Sequence, residues 1–127
     1  MILTAVDHIT INCIDVTASR RFYEQIFELP RLNDVDLGDH ILHYYQLPGV
    51  KLELIEYLTP QKIWQTGHTD TGIYRHFAVC VDHLETIHSR CQGNVKINLQ
   101  PTFIPQLGKT VMLIQDPNGV EIEVIQA

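Results

Sequence analysis

The chain has 127 residues, 45% of them hydrophobic, with 15 Asp and Glu against nine Lys and Arg and a formal net charge of −6. That is the size of one compact domain, and an acidic balance without a basic stripe gives no electrostatic reason to bind nucleic acid. With no apolar run long enough for a membrane span and no basic, apolar leader, a soluble cytoplasmic protein with a small-molecule partner is expected.

The first strand is expected over residues 5–13, which alternate as Ala5-Val6-Asp7-His8-Ile9-Thr10-Ile11-Asn12-Cys13. Asp15 or Thr17 can then cap a helix over 18–27, whose apolar residues at 18, 22, 23, 26 and 27 form one stripe. Three short strands are predicted at about 32–38, 40–47 and 51–57, separated by Gly38-Asp39 and Pro48-Gly49. The stretch from Leu58 to Gly72, with Pro60, Gly67 and many polar residues, reads as a linker. A second strand–helix pair follows: a strand at 73–81, then a helix opened by Asp82-His83-Leu84-Glu85, whose spacing resembles a capping box, and closed by Gly93. Strands near 95–103, 110–116 and 120–126 complete the chain, the last pair turned by Asp116-Pro117-Asn118-Gly119.

The order β-α-β-β-β therefore occurs twice, as a module at about 5–57 and another at about 73–127 of a single domain spanning 1–127. Each module is marginal in size alone, so the two are expected to pack together or against a second chain. The predicted class is α+β: two paired βαβββ modules forming a cupped mixed sheet with the helices outside. Three cysteines, Cys13, Cys80 and Cys91, are an odd number without a paired motif, which argues against a disulfide framework. Cys13 and Cys80 are expected to be small core side chains.

The repeat extends to chemistry. His8 lies 45 residues before Glu53, and His76 lies 47 before Glu123; each Glu stands four residues past a turn glycine, Gly49 or Gly119. Strand parity sets His8, Thr10 and Asn12 opposite Ile9, Ile11 and Cys13. The same parity sets His76, Glu53 and Glu123 opposite apolar neighbours, so all four point away from the helix side. A lone strand histidine is more often packed or solvated than ligating. The joint register separates these two from His40, His43, His68, His83 and His88, which have no counterpart in the other module and are read as structural or solvent-facing. Glu121 shares the parity of Glu123, but its counterpart is Lys51, so the repeat selects Glu123; Glu56 has the opposite parity from Glu53 and is read as a rim residue. Two imidazoles and two carboxylates suit a borderline divalent cation and bring a 2+ ion to formal neutrality, whereas two ionised Glu sharing a sheltered cleft without one would be costly.

Val6-Asp7-His8-Ile9 with Phe22-Tyr23, Arg75-His76-Phe77-Ala78-Val79, and Asp116-Pro117-Asn118-Gly119-Val120-Glu121-Ile122-Glu123 resemble the vicinal oxygen chelate superfamily, which includes glyoxalase I, methylmalonyl-CoA epimerase, extradiol dioxygenases and bleomycin-resistance proteins. The resemblance implies one divalent ion per site (Ni, Co, Zn or Mn, with Fe behind them) on His8, Glu53, His76 and Glu123, in a protein expected to be a homodimer. A four-ligand set resembles glyoxalase I and the epimerases. It implies an isomerase or lyase that moves a proton beside a metal-bound carbonyl through an enediolate, with Glu123 or Glu53 as the base. The alternatives are an Fe(II) dioxygenase, whose relatives use a His, His, Glu set without the position of Glu53, and a metal-free binding protein. Glyoxalase I usually carries an Arg four residues past the first His; Asn12 stands there, which weakens a glutathione assignment. Arg75 and Lys109 could contact an anion, and Tyr44, Tyr45 and Trp64 could line a pocket, although solvation or packing is the blander role for each.

Overall fold

The computed structural model describes residues 1–127 and divides into two compact units, Met1–Ile63 and Trp64–Ala127. The first holds β1 (His8–Asn12), α1 (Val16–Phe27), β2 (Val35–Asp36), β3 (His40–Leu47) and β4 (Val50–Tyr57). The second repeats that order with β5 (His76–Val81), α2 (Leu84–Cys91), β6 (Lys96–Ile104), β7 (Lys109–Gln115) and β8 (Glu121–Gln126). Each unit is a four-stranded mixed sheet, ordered β1-β4-β3-β2 in one and β5-β8-β7-β6 in the other. The first strand pairs in parallel with the last, and the remaining pairs are antiparallel. The βαβββ modules and the α+β class are as the sequence predicts. No helix is long and apolar enough to cross a membrane.

Parity builds the core. In the first unit Ile11, Tyr45, Leu47, Leu52 and Leu54 lie on the sheet face covered by α1, which buries Ser19, Phe22, Tyr23 and Ile26 and packs against β4. In the second, Phe77, Met112, Ile114, Ile122 and Val124 are buried with Leu84, Ile87 and Cys91 of α2, which packs against β6 and β8. Leu52, Leu54, Ile122 and Val124 have no exposed surface, so each side chain contributes roughly 1.5–3 kcal/mol of burial.

Local chemistry moves some boundaries. Asp15 caps α1 by accepting the Thr17 and Ala18 N–H groups at 3.0 and 3.3 Å, a contribution of about 1 kcal/mol. The expected box on α2 does not form: His83 is the cap residue without a side-chain bond, and the Leu84 N–H donates to Gln126 Oε1 at 3.0 Å. The strand predicted over 32–38 shrinks to two residues because Asp36 accepts the Gly38 N–H at 2.8 Å and Gly38, at φ 98°, turns the chain. β5 starts at His76, not Ile73, since its pairing with β8 begins at His76↔Glu121.

Cys80 departs from its expected core position. It shares the parity of His76 and is exposed, whereas Cys91 is fully buried, which pushes its thiol pKa up to about 11. Thiolate is the reactive form. Alkylation of the native chain at pH 8, read by mass spectrometry, is therefore expected to label Cys80 and spare Cys91, with all three cysteines labelled in denaturant.

Candidate metal centre

The first strand of each unit carries its histidine, and the last strand, paired in parallel beside it, carries its glutamate. His8 lies opposite Lys51 and His76 opposite Glu121, so in both units the glutamate stands two residues beyond the histidine's partner on the same sheet face. His8 Nε2 lies 3.8 Å from Glu53 Oε2, and His76 Nε2 lies 3.2 Å from Glu123 Oε2. The Asp116 loop sets the start of β8. Asp116 Oδ1 accepts the N–H groups of Asn118 and Val120 at 2.8 and 2.9 Å, and Gly119 turns at φ 88°.

Each imidazole is gripped from behind by a carboxylate. His8 Nδ1 is 2.7 Å from Asp7 Oδ2, and His76 Nδ1 is 2.9 Å from Glu121 Oε1. A carboxylate only accepts, so a neutral imidazole bound this way carries its proton on Nδ1 and its lone pair on Nε2, the nitrogen facing the glutamate. That is the tautomer a metal ligand needs, and the outer carboxylate is its usual support. The source of that carboxylate is exchanged between units. In the first, Asp7 precedes the histidine and Lys51 is the cross-strand residue, its Nζ 3.6 Å from Asp7 Oδ1. In the second, Arg75 precedes the histidine and Glu121 lies across, with Arg75 Nε donating at 2.9 Å. The hydrogen bond from His8 and the Lys51 charge hold Asp7 below the usual carboxylate range.

Glu121, only 2% exposed, is a hub that the repeat argument passes over. Its Oε1 accepts from Arg75 and His76, and its Oε2 from His68 Nδ1 at 2.6 Å and Asn98 Nδ2 at 3.2 Å. Burial alone would raise its pKa, but the hydrogen bonds from His76, Arg75 and Asn98, with the Arg75 charge, outweigh burial and lower it. His68 thereby joins the second unit's histidine site, which its lack of a counterpart had hidden.

The two glutamates sit in unlike surroundings. Glu53 is buried in a row that crosses three strands, Thr10–Glu53–Tyr44. Thr10 Oγ1 donates to its Oε1 at 3.1 Å and the Tyr44 hydroxyl to its Oε2 at 2.5 Å. That bond, with burial, pushes the Tyr44 pKa up to about 12. The corresponding neighbours of Glu123 are Ala78 and Leu113, which offer no hydrogen bond, so His76 is its only polar contact.

The other histidines go elsewhere. His43 is buried on the opposite face, bonded to Glu56 at 2.9 Å and to Arg20, with Asp34 at 3.1 Å. His40 stacks on Tyr57, His83 precedes α2, and His88 reaches Gln100. Tyr45 is fully buried and donates to Glu24.

Two ligand atoms about 2.0–2.2 Å from one ion stand about 3 Å apart at a right angle and about 3.4 Å apart at a tetrahedral angle. The His76–Glu123 pair already has that spacing, and the His8–Glu53 pair needs a shift of several tenths of an ångström. The donor chemistry therefore fits a divalent ion. The structure presents the four residues as two pairs; it contains no cluster of three or more His, Cys, Asp or Glu side chains spaced to hold an ion.

A βαβββ unit repeated twice, with one His–Glu pair on each sheet, defines a protein of the glyoxalase type. The match of residues 5–124 to the family model shows that the chain belongs to the Glyoxalase/Bleomycin resistance protein/Dioxygenase superfamily. Among solved structures it resembles the glyoxalase family protein from Enterococcus faecalis (19% identity, TM-score 0.79, 98% of this chain and 99% of that one). It also resembles glyoxalase I from Zea mays (20% identity, TM-score 0.80, 97% of this chain), of whose length it covers 44%. A third similar structure is the trypanothione-dependent glyoxalase I of Leishmania major (20% identity, TM-score 0.76, 98% of this chain and 87% of that one). At these identities the likeness shows the fold alone. No curated protein sequence matches the chain significantly.

Proposed function

We propose that the protein is a divalent-metal-dependent isomerase or lyase of the glyoxalase I type, acting on a small carbonyl substrate as a homodimer. His8, Glu53, His76 and Glu123 are its proposed metal ligands. The observation that carries this reading is the matched pair of His–Glu contacts, each with Nε2 turned to the glutamate and Nδ1 held by a second carboxylate. A divalent ion on these side chains supplies Lewis acidity to a substrate carbonyl oxygen.

The chain's own residues divide the remaining work. Thr10 and Tyr44 fix Glu53, which suits a ligand that stays in place. Glu123 has no hydrogen-bond donor beside it on the sheet, only the unprotonated Nε2 of His76, so it can swing to take a proton from the carbon beside the carbonyl and return it to the adjacent carbon. Asp7 and Glu121 keep both histidine protons on Nδ1 throughout.

The test is metal content per chain, by elemental mass spectrometry on tag-free protein purified without chelator. Near-stoichiometric Ni, Co, Zn or Mn is expected, with loss in His8→Ala and His76→Ala; no metal, and none taken up at micromolar concentration, sinks the proposal. One feature favours a second reading. The 3.8 Å separation of His8 from Glu53, with Tyr44 bonded to that same oxygen, suits a three-ligand set of His8, His76 and Glu123. Bound Fe, oxygen consumption with a phenolic substrate, and unchanged metal affinity in Glu53→Gln would select that dioxygenase-like reading. With four ligands, Tyr44→Phe instead frees Glu53 and is expected to tighten metal binding by about tenfold or more, the net worth of one hydrogen bond to a charged group.

A further inference from the structure

Where β5 and β8 begin, the second unit encloses a cavity of about 190 Å³ whose walls include Trp64, His68, Ile73, Tyr74, Arg75 and Gly119. This is smaller than the roughly 300–1,000 Å³ of drug-sized sites, so it suits a single ring or branched chain with a short polar head. Trp64, Ile73 and Tyr74 supply broad apolar walls and are 70%, 46% and 68% exposed, open to a ligand.

The polar side of the cavity is organised by Glu121. Its four accepting positions are filled by Arg75, His76, His68 and Asn98, so it offers a ligand nothing. The groups it anchors do. Arg75 binds Glu121 through Nε alone, leaving both terminal guanidinium nitrogens without a protein partner on a side chain 47% exposed. His68 binds through Nδ1, which places the neutral ring's lone pair on Nε2, also without a partner. Arg75 and His68 are fixed to the two oxygens of one carboxylate, so a cationic donor fork and the second nitrogen of an imidazole stand side by side. The other carboxylate at the cavity, Asp70, is on an exposed residue and accepts the Gly67 N–H at 2.8 Å.

We infer that this cavity binds a small apolar acid with a hydroxyl next to its carboxylate. The carboxylate takes the Arg75 fork, the hydroxyl donates to His68 Nε2, and the apolar body lies against Trp64 and Tyr74. A planar guanidinium fork matches a carboxylate in geometry as well as charge. The assignment goes beyond the proposed function: it names a ligand held by Arg75 and His68, and it stands or falls without the metal ligands.

Trp64 is the one tryptophan of the chain, so its emission reports this cavity directly. The experiment titrates the whole chain with mandelate, phenylacetate and mandelamide, each with and without chelator. Mandelate is expected to give a saturable change unaffected by chelator. Phenylacetate, lacking the hydroxyl, should bind about fivefold more weakly, and mandelamide, lacking the charge, about tenfold more weakly. Arg75→Gln should weaken mandelate about tenfold, with partial recovery in Arg75→Lys; the comparison among probes on the unaltered chain does not depend on either variant folding. Equal affinities for the three probes, or no saturable change, overturn the inference. So does mandelate binding that vanishes with chelator, which puts the acid on an ion and not on Arg75. Mandelate binding by a chain that takes up no metal supports the cavity while overturning the metal centre.

Discussion

Glu123→Gln is expected to lower proton transfer at the substrate carbon by about 10²–10⁴-fold at saturating metal, the usual worth of a positioned general base, with a loss of metal affinity of at least about 10–100-fold, the cost of disturbing even an outer-shell partner. The expectation rests on the contrast between the two glutamates. Glu53 is bonded by Thr10 and Tyr44, and a carboxylate held at both oxygens is a poor candidate for a group that must leave one position and return to it. Glu123 lies between Ala78 and Leu113, and its one polar neighbour is the unprotonated Nε2 of His76, so no hydrogen bond opposes its movement. Glutamine keeps the shape and one oxygen donor but has no carboxylate to accept the proton. The measurement is solvent-deuterium incorporation next to the carbonyl of a hemithioacetal, followed by NMR, with metal content determined on the same samples. Unimpaired incorporation in Glu123→Gln would remove Glu123 from the base role. Loss of incorporation in Glu53→Gln with metal retained would move the role to Glu53.

The fold was legible because it is written twice. Two histidines at the same place in two alternating strands, and two glutamates at the same place past two turn glycines, fix the module order and strand parity, and the sheet registers His8↔Lys51 and His76↔Glu121 are equivalent as that repeat requires. The support around the pairs was not legible by the same rule, because matching residue to residue hides an exchange of charge. Asp7 and Lys51 in one unit become Arg75 and Glu121 in the other. Each position looks unmatched alone, yet the pair is conserved as a pair between the two units. A search for swapped ion pairs across the predicted β1–β4 and β5–β8 registers would have found it. The hold of Thr10 and Tyr44 on Glu53 needs the pairing of three strands, which alternation within one strand does not give. Cys80 was misjudged for a related reason: a small side chain fits either sheet face, and its parity with His76 was the better guide.

Glu121→Ala is expected to be the most destabilising single change at the site, lowering the free energy of unfolding by about 3 kcal/mol. Breaking a buried charge pair costs about 3–5 kcal/mol when the surviving charge is trapped, but Arg75 is half exposed and can be rehydrated. The loss therefore falls mainly on the three other donors, His68, His76 and Asn98, at about 1 kcal/mol each. Glu121→Gln should recover only part of this. Its amide presents two hydrogens to one of the two donor pairs, Arg75 with His76 or His68 with Asn98, and satisfies just the other pair. Lys51→Ala is the control, since Lys51 occupies the corresponding place in the first unit with an exposed partner, Asp7, and should barely move the unfolding midpoint, because solvent screens a surface ion pair. Urea unfolding followed by circular dichroism distinguishes these cases. A Glu121→Ala midpoint equal to that of Lys51→Ala would mean that the four bonds on Glu121 add nothing to folding. Its role would then reduce to orienting His76, whose Nε2 lies beside Glu123, and His68, which lines the Trp64 cavity.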